Sequence, residues 1–433
     1  MRRSAIVVAL MLFAGCAHYR PGAQTKPLEV IEHAPEYDLG IVELDDQGWF
    51  YDRGDVARVL DLVKREADAN GAVIAVFVHG WHHSSRRDDS NLTDFKKVLV
   101  DIHKTLQSQI FVGAREQIIP EAKNRVVGVY VGWRGASLPP YLDYATFFDR
   151  RDAAVRVGTG DVPELFSRLQ EIYETHNGPR KGGGWDFTTL VTMGHSFGAQ
   201  VVFSSVADRF KTSIADEIGV DQLGGGAPID EIKGFGDLVV LVNPAHEASI
   251  YESIHRLTRH QHYQRTQLPV LLTISSEGDW PNRDAFPFGR TLGTRHEPKG
   301  PGDQRSQKIR TLGHHKPHIS HCLTLTSGPP CKGFAAKPAP PQVPSIRPSL
   351  LFALQPELIE MAKDRSVGAT SFYSVGDPID PNNPFLVAKA TRPVVADHND
   401  MFNPHLVEFL VNYVAGAQLK RVLRVYNVQT QAK

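Results

Sequence analysis

Five short apolar runs constrain this chain more than any other feature. They are Ala72–Val78, Val126–Val131, Thr189–Met193, Leu238–Val242 and Val270–Ile274, each rich in β-branched residues. Runs of this length without polar alternation suit strands buried on both faces. Helix-patterned stretches fall between them. One, about Gly54 to Ala69, puts Val56, Val59, Leu60 and Val63 on one face; another follows Asn91, whose side chain could cap it. An amphipathic helix is expected near 162–175, and a last extended piece, Phe385–Val395, leads into a helix from about Pro404 to Val414. Strands alternating with helices predict an α/β fold with a mainly parallel sheet flanked by helices. Ile41–Leu44 and Trp49–Tyr51, around Asp-Asp-Gln-Gly, read as an opening hairpin.

Two stretches break this rhythm. Residues 134–186 carry Tyr141, Tyr144, Phe147 and Phe148, and their placement between two strands suits a cap over a site. Residues 285–350 are rich in Pro, Gly, His and basic side chains and read as an irregular insertion; a loop that long is functional or disordered. The expected organisation is a leader at 1–15, a polar tether at 16–35, a single domain over 36–415 with these two insertions, and a tail at 416–433.

The third strand run, Thr189–Met193, passes directly into Gly194-His195-Ser196-Phe197-Gly198-Ala199 and then a helical stretch. G-x-S-x-G between a strand and a helix puts a serine on a tight turn with its hydroxyl projecting, and the glycines stand where side chains would clash. A serine hydroxyl needs an adjacent base, and the base an orienting acid. Both have candidates just past strand ends, where ligands bind in open parallel sheets. Ser275-Ser-Glu-Gly-Asp279-Trp follows one strand; Ala396-Asp397-His398-Asn399-Asp400 follows the last extended piece. Glu277 and Asp284 compete with Asp279. His405 competes with His398 but falls inside the predicted helix, and Asp397 and Asp400 read as loop or helix-cap residues. His79-Gly80-Trp81-His82-His83 follows the first run and offers backbone N–H groups for an oxyanion. Gly132-Trp133-Arg134-Gly135 ends another run and could line a pocket or simply pack.

Strand-H-G-W, strand-G-H-S-F-G-A-helix, strand-S-E-G-D and the late H-N-D resemble the α/β-hydrolase superfamily, and within it bacterial lipase- or esterase-like serine hydrolases. The resemblance covers about 36–415 in element order. It implies Ser196 as nucleophile, Asp279 as acid and His398 as base. The oxyanion donors would be the N–H of Phe197 and that of Trp81 or His82. The implied reaction is hydrolysis of carboxylic esters, with acyl lipids among the candidate substrates. The same residues could cleave thioesters or amides, and a binding protein on a hydrolase fold is the alternative from another class. No cofactor is implied.

Arg2 and Arg3 precede an apolar run, Ala5 to Phe13, that ends in Ala14-Gly15-Cys16. A charged start, a short apolar core and small residues at a cut site read as a secretory signal. The run is shorter than the roughly 20 apolar residues that span a bilayer. Leu12-Phe13-Ala14-Gly15-Cys16 also resembles the bacterial lipobox, with Phe13 where that family has an aliphatic residue. This implies cleavage before Cys16, acylation of its sulfur by chains such as palmitate, and a protein tethered to the membrane of a bacterial envelope. Ala17 after the cysteine implies the outer membrane, facing the periplasm. In that compartment Cys322 and Cys331 can form a disulfide.

His314, His315, His318 and His321 beside Cys322 could hold zinc by spacing alone. They lack a helical frame, and a serine triad needs no metal, so a polar loop beside the site is the reading adopted. The 48 basic and 48 acidic residues cancel, which argues against a nucleic-acid binder.

Overall fold

The apolar runs lie side by side in one sheet, and the alternation along each strand supplies a core to both of its faces. The computed structural model describes residues 30–107, 125–135, 146–179, 185–218, 228–229, 231–264, 267–293, 302–334 and 370–414. In chain order, β1 (Ile31–His33) and β2 (Tyr37–Glu43) lead into helix α1 (Arg53–Asn70). β3 (Ala72–Val78), α2 (Ser90–Leu106) and β4 (Arg125–Gly132) follow. Helices α3 (Phe147–Thr159) and α4 (Val162–Thr175) and a small hairpin, β5 (Asn177–Pro179) with β6 (Trp185–Phe187), reach β7 (Thr189–His195) and α5 (Phe197–Glu217). Then come β8 (Leu238–Val242), α6 (Glu252–Thr258), β9 (Leu271–Ser276), α7 (Phe286–Gly293) and α8 (Gly302–Ile309). β10 (His321–Leu325), β11 (Thr370–Ser374), β12 (Phe385–Ala390) and a helix α9 (404–414) end the described chain.

Among the described residues the main sheet has ten strands in the order β1-β2-β4-β3-β7-β8-β9-β12-β10-β11. Only β1 and β11, at the two edges, run antiparallel to their neighbours. β3 is buried at all seven positions, as a central parallel strand must be. Ile74, Val76 and Val78 face a core shared with α1, α3, α4 and α5, while Val73, Ala75 and Phe77 face one shared with α2 and α9. The result is a three-layer α/β arrangement.

Several expectations are revised. The segment 31–33, read as tether, is already a sheet strand. The opening hairpin is present as a short antiparallel pairing: Leu44 bridges Phe50, and the Asp45 and Tyr51 N–H groups donate to the carbonyls of Trp49 (2.9 Å) and Glu43 (3.0 Å). Its first strand, β2, starts earlier, at Tyr37, and also takes β4 as a parallel partner. Helix α2 is capped by Asp89, whose carboxylate accepts from the Asn91 N–H (2.9 Å), not by Asn91, which is buried.

The two insertions behave differently from their composition. From Ala153 onward, helices α3 and α4 lie in the helical layer beside the sheet, while Phe147, at the start of α3, contacts Trp81 and Phe197. Ala153, Ala154, Val157, Val162, Leu165, Phe166 and Leu169 are buried in the same core as α1 and α5. They are the crossover from β4 to β7, and their apolar faces need the sheet's layer to leave water. The 285–350 stretch is not irregular throughout: it contains α7, α8 and β10, which sits between β12 and β11. Tyr141, Tyr144, the leader and Cys16, and the 416–433 tail lie outside the described residues.

Candidate active site

The loops that follow β3, β7, β8, β9 and β12 all leave the same, C-terminal edge of the parallel sheet. Ser196 follows β7 and has φ +54° and ψ −118°, outside the allowed regions for most L residues. A strained serine persists only when its surroundings over-determine it. Here its N–H donates to the carbonyl of Val242 (3.0 Å), and α5 begins at the next residue. Gly198 permits this close seating: a Cβ there would lie 2.2 Å from the Val78 carbonyl oxygen. As the first residue of α5, Phe197 has a backbone N–H without an acceptor in its own helix, and it points toward the positive end of the helix dipole.

His398, in the loop after β12, accepts from the Ser196 hydroxyl at Nε2 (2.8 Å) and donates from Nδ1 to Oδ1 of Asp279 (2.9 Å). These roles follow from the carboxylate being acceptor only. Asp279 is fully buried. Burial pushes its pKa up, but the electrostatic attraction of the His398 ring and the hydrogen bonds from His398 and the Asn282 N–H outweigh this and hold it below the ordinary carboxylate value. Asn282 also donates from Nδ2 to Oδ2 of Asp279 (2.8 Å), so both carboxylate oxygens are held.

The competing residues are elsewhere. Asp284 is exposed and pairs with Arg283 (2.7 Å), while Glu277 accepts from the Lys332 N–H. The His405 backbone is capped by Asn403 at the start of α9. Asp397 and Asp400 brace the His398 loop: they accept from the N–H groups of Asn399 (2.9 Å) and Ala396 (2.7 Å) respectively.

The 79–82 loop lies against the serine. A Cβ on Gly80 would be 2.9 Å from the Cβ of Ser196, so only glycine lets the loop approach this closely. His82 has φ +69°. His79 sets the loop from beneath. It is buried, its Nδ1 donates to the Gly80 carbonyl (2.9 Å) and its Nε2 accepts from the Trp133 N–H (3.1 Å). Burial lowers its pKa to about 4, which keeps it neutral and Nε2 free to accept. Trp133 is buried and donates from its indole to the His79 carbonyl (2.8 Å); Arg134 pairs with Asp46. Both residues are therefore packing and bracing groups. Trp81, Phe147 and Phe197 form an aromatic wall beside the serine, with ring centroids 5.2–6.2 Å apart, and Phe286 adjoins Phe147.

Sequence reasoning missed Asn243 and His195. Both side chains donate to the His398 carbonyl oxygen, at 2.9 and 2.7 Å. Asn243 directly follows an apolar strand run, the placement that singled out Ser196 and Asp279, but nothing local marks an asparagine there as more than a turn residue.

Cys322 and Cys331 form a disulfide that ties β10 to the loop after it. The four histidines do not converge on one point: His315 and His318 pack edge to face (4.5 Å). His321 stacks on Phe372 (4.6 Å), His318 bonds Glu252 (2.8 Å) and His314 contacts Thr311 (3.1 Å). Among the described residues no group of three or more His, Cys, Asp or Glu is arranged to hold a metal ion. In comparisons with known proteins, no family model, curated protein or solved structure matches this chain.

Proposed function

We propose that this chain is a serine hydrolase on an α/β-hydrolase fold that cleaves carboxylic esters through an acyl-enzyme. The observation that carries this reading is the continuous relay from Ser196 Oγ through His398 to buried, anionic Asp279. The sharp backbone at Ser196 and the placement of every participant at one edge of a parallel sheet support it as well.

In this reading His398 Nε2 takes the proton as Ser196 Oγ bonds to the acyl carbon. The developing oxyanion accepts from the N–H of Phe197 and from that of Trp81 or His82. The leaving alcohol takes the proton from His398 as its bond to the acyl carbon breaks. Water, deprotonated by His398, then adds to the acyl carbon of the Ser196 ester; as the acyl–Oγ bond breaks, Oγ takes the proton back from His398 and the acid leaves. The aromatic wall of Trp81, Phe147 and Phe197 favours an apolar acyl group. We further propose that the mature chain is acylated at Cys16 and held at the periplasmic face of an outer membrane, where acyl lipids are at hand. The motif ending at Cys16 supports this.

The test is covalent labelling of the chain by a fluorophosphonate, followed by hydrolysis of esters and thioesters of graded acyl length. Labelling and turnover are expected in the wild type and should vanish in Ser196→Ala. Labelling that persists in the variant would sink the assignment. Palmitate incorporation in the bacterium, lost in Cys16→Ser, reads the anchor in the same strains.

A further inference from the structure

We infer that Asn243 is a positioning residue whose side-chain amide clamps the loop carrying Asp279 to the loop carrying His398; the inference rests on the serine-hydrolase reading.

Asn243 is fully buried at the end of β8, between the strand that leads to Ser196 and the strand that leads to Asp279. Every polar group it has is used, and each reaches a different segment of the site. Nδ2 donates to the carbonyls of Asp397 (3.1 Å) and His398 (2.9 Å). Oδ1 accepts from the Ser276 N–H (2.8 Å). Its backbone N–H donates to Ile274 (2.8 Å), and its carbonyl accepts from Asn282 Nδ2 (2.8 Å), the amide that also holds Asp279. One side chain thus ties the base-bearing loop to the start of the acid-bearing loop. Its backbone is bonded to the residue that fixes the acid itself.

The residue type follows from these demands. Two carbonyls need a donor, the Ser276 N–H needs an acceptor, and the backbone is left-handed at φ +46°. Asparagine meets all three, since a short amide carries both functions and asparagine tolerates that region. Aspartate would turn an acceptor toward two carbonyl oxygens. Glycine would suit the backbone and leave the carbonyls of 397 and 398 without the amide. His195 reinforces the clamp from the nucleophile's side, since its Nε2 donates to the same His398 carbonyl (2.7 Å). The imidazole of His398 is therefore placed by side chains from the ends of β7 and β8 that hold the His398 carbonyl, as well as by the carboxylate it faces. Displacement by about 1 Å is enough to lose about 100-fold in rate.

The experiment compares the full chain with Asn243→Gly and Asn243→Asp, using p-nitrophenyl butyrate turnover, fluorophosphonate titration of Ser196 and proton NMR. Glycine keeps the left-handed backbone; aspartate keeps the size and the acceptor; both remove the two donors. Each variant that folds should show kcat lower by about 10- to 100-fold with KM within about twofold, because the lost contact is to the base and not to substrate. The far-downfield resonance expected of the His398 Nδ1 proton in the wild type should broaden or vanish in the variants. A folded variant of either kind with wild-type kcat and an unchanged resonance overturns the clamp. A wild type that neither reacts with the fluorophosphonate nor turns over ester overturns the hydrolase reading instead, so the two failures are distinct.

Discussion

Three carboxylates follow β9 in quick succession, and burial separates them. Asp279 is enclosed and held by His398 and Asn282, Asp284 faces solvent beside Arg283, and Glu277 is engaged by the Lys332 backbone. A carboxylate orients and stabilises the imidazolium only when it is anionic and aligned with Nδ1. Asp279→Asn is therefore expected to lower kcat by about 10⁴-fold, while Asp284→Asn stays near wild type. Steady-state hydrolysis of one activated ester measures both; the reverse ranking would show that the acid has been misassigned. From the sequence, Asp279 and His398 were visible as residues just past apolar runs. Their selection over Glu277, Asp284 and His405 depends on contacts 119 and 202 residues apart in the chain, which no local pattern encodes.

At the scale of elements, the interior strands were legible because a central parallel strand must be apolar on both faces. β10 was not. His321-Cys-Leu-Thr-Leu325 is short, carries polar residues at 321 and 324 without a period-2 alternation, and is set in a Pro- and Gly-rich stretch; it becomes a strand only because β12 and β11 bond to both of its edges. The same tertiary rule places the apolar stripes of α3 and α4 in the helical layer, packed on α1 and α5. The Cys322–Cys331 bridge stabilises β10 where hydrophobic pattern alone is weak. It closes a loop with a sequence separation of 9. Its loss in Cys322→Ser/Cys331→Ser should lower unfolding free energy by about 2–3 kcal/mol, the loop-entropy value for that length. Urea titration of the variant, and of the wild type with and without reductant, checks this. Equal midpoints in all three would refute it.

For the whole molecule, the distribution of buried histidines sets the response to acid. His79, His246 and His321 are buried, and burial lowers each from 6.5 to about 4. A depressed folded-state value means that the unfolded chain takes up these protons first, below about 6.5. Their contribution is complete above 6.5 and is lost as pH falls toward about 4. Unfolding free energy should thus drop steeply across that window, with uptake of several protons. At His79 the proton would also break the bond from Trp133 that braces the 79–82 loop. Denaturant titrations at stepped pH give the slope, and a flat profile between those limits would contradict it.

The sequence by itself determined the strand and helix rhythm, the elbow at Ser196 and the chain order of its candidate partners. These are local matters of apolar periodicity, β-branching and glycine placement, which act within a few residues. Tertiary structure alone decided which carboxylate meets His398, that Asn243 and His195 hold the His398 backbone, that 147–175 is core and that 321–325 is sheet. Those outcomes turn on burial and on hydrogen bonds between strand ends far apart in the chain, and the energy of such a contact exists only once the sheet has brought its partners together.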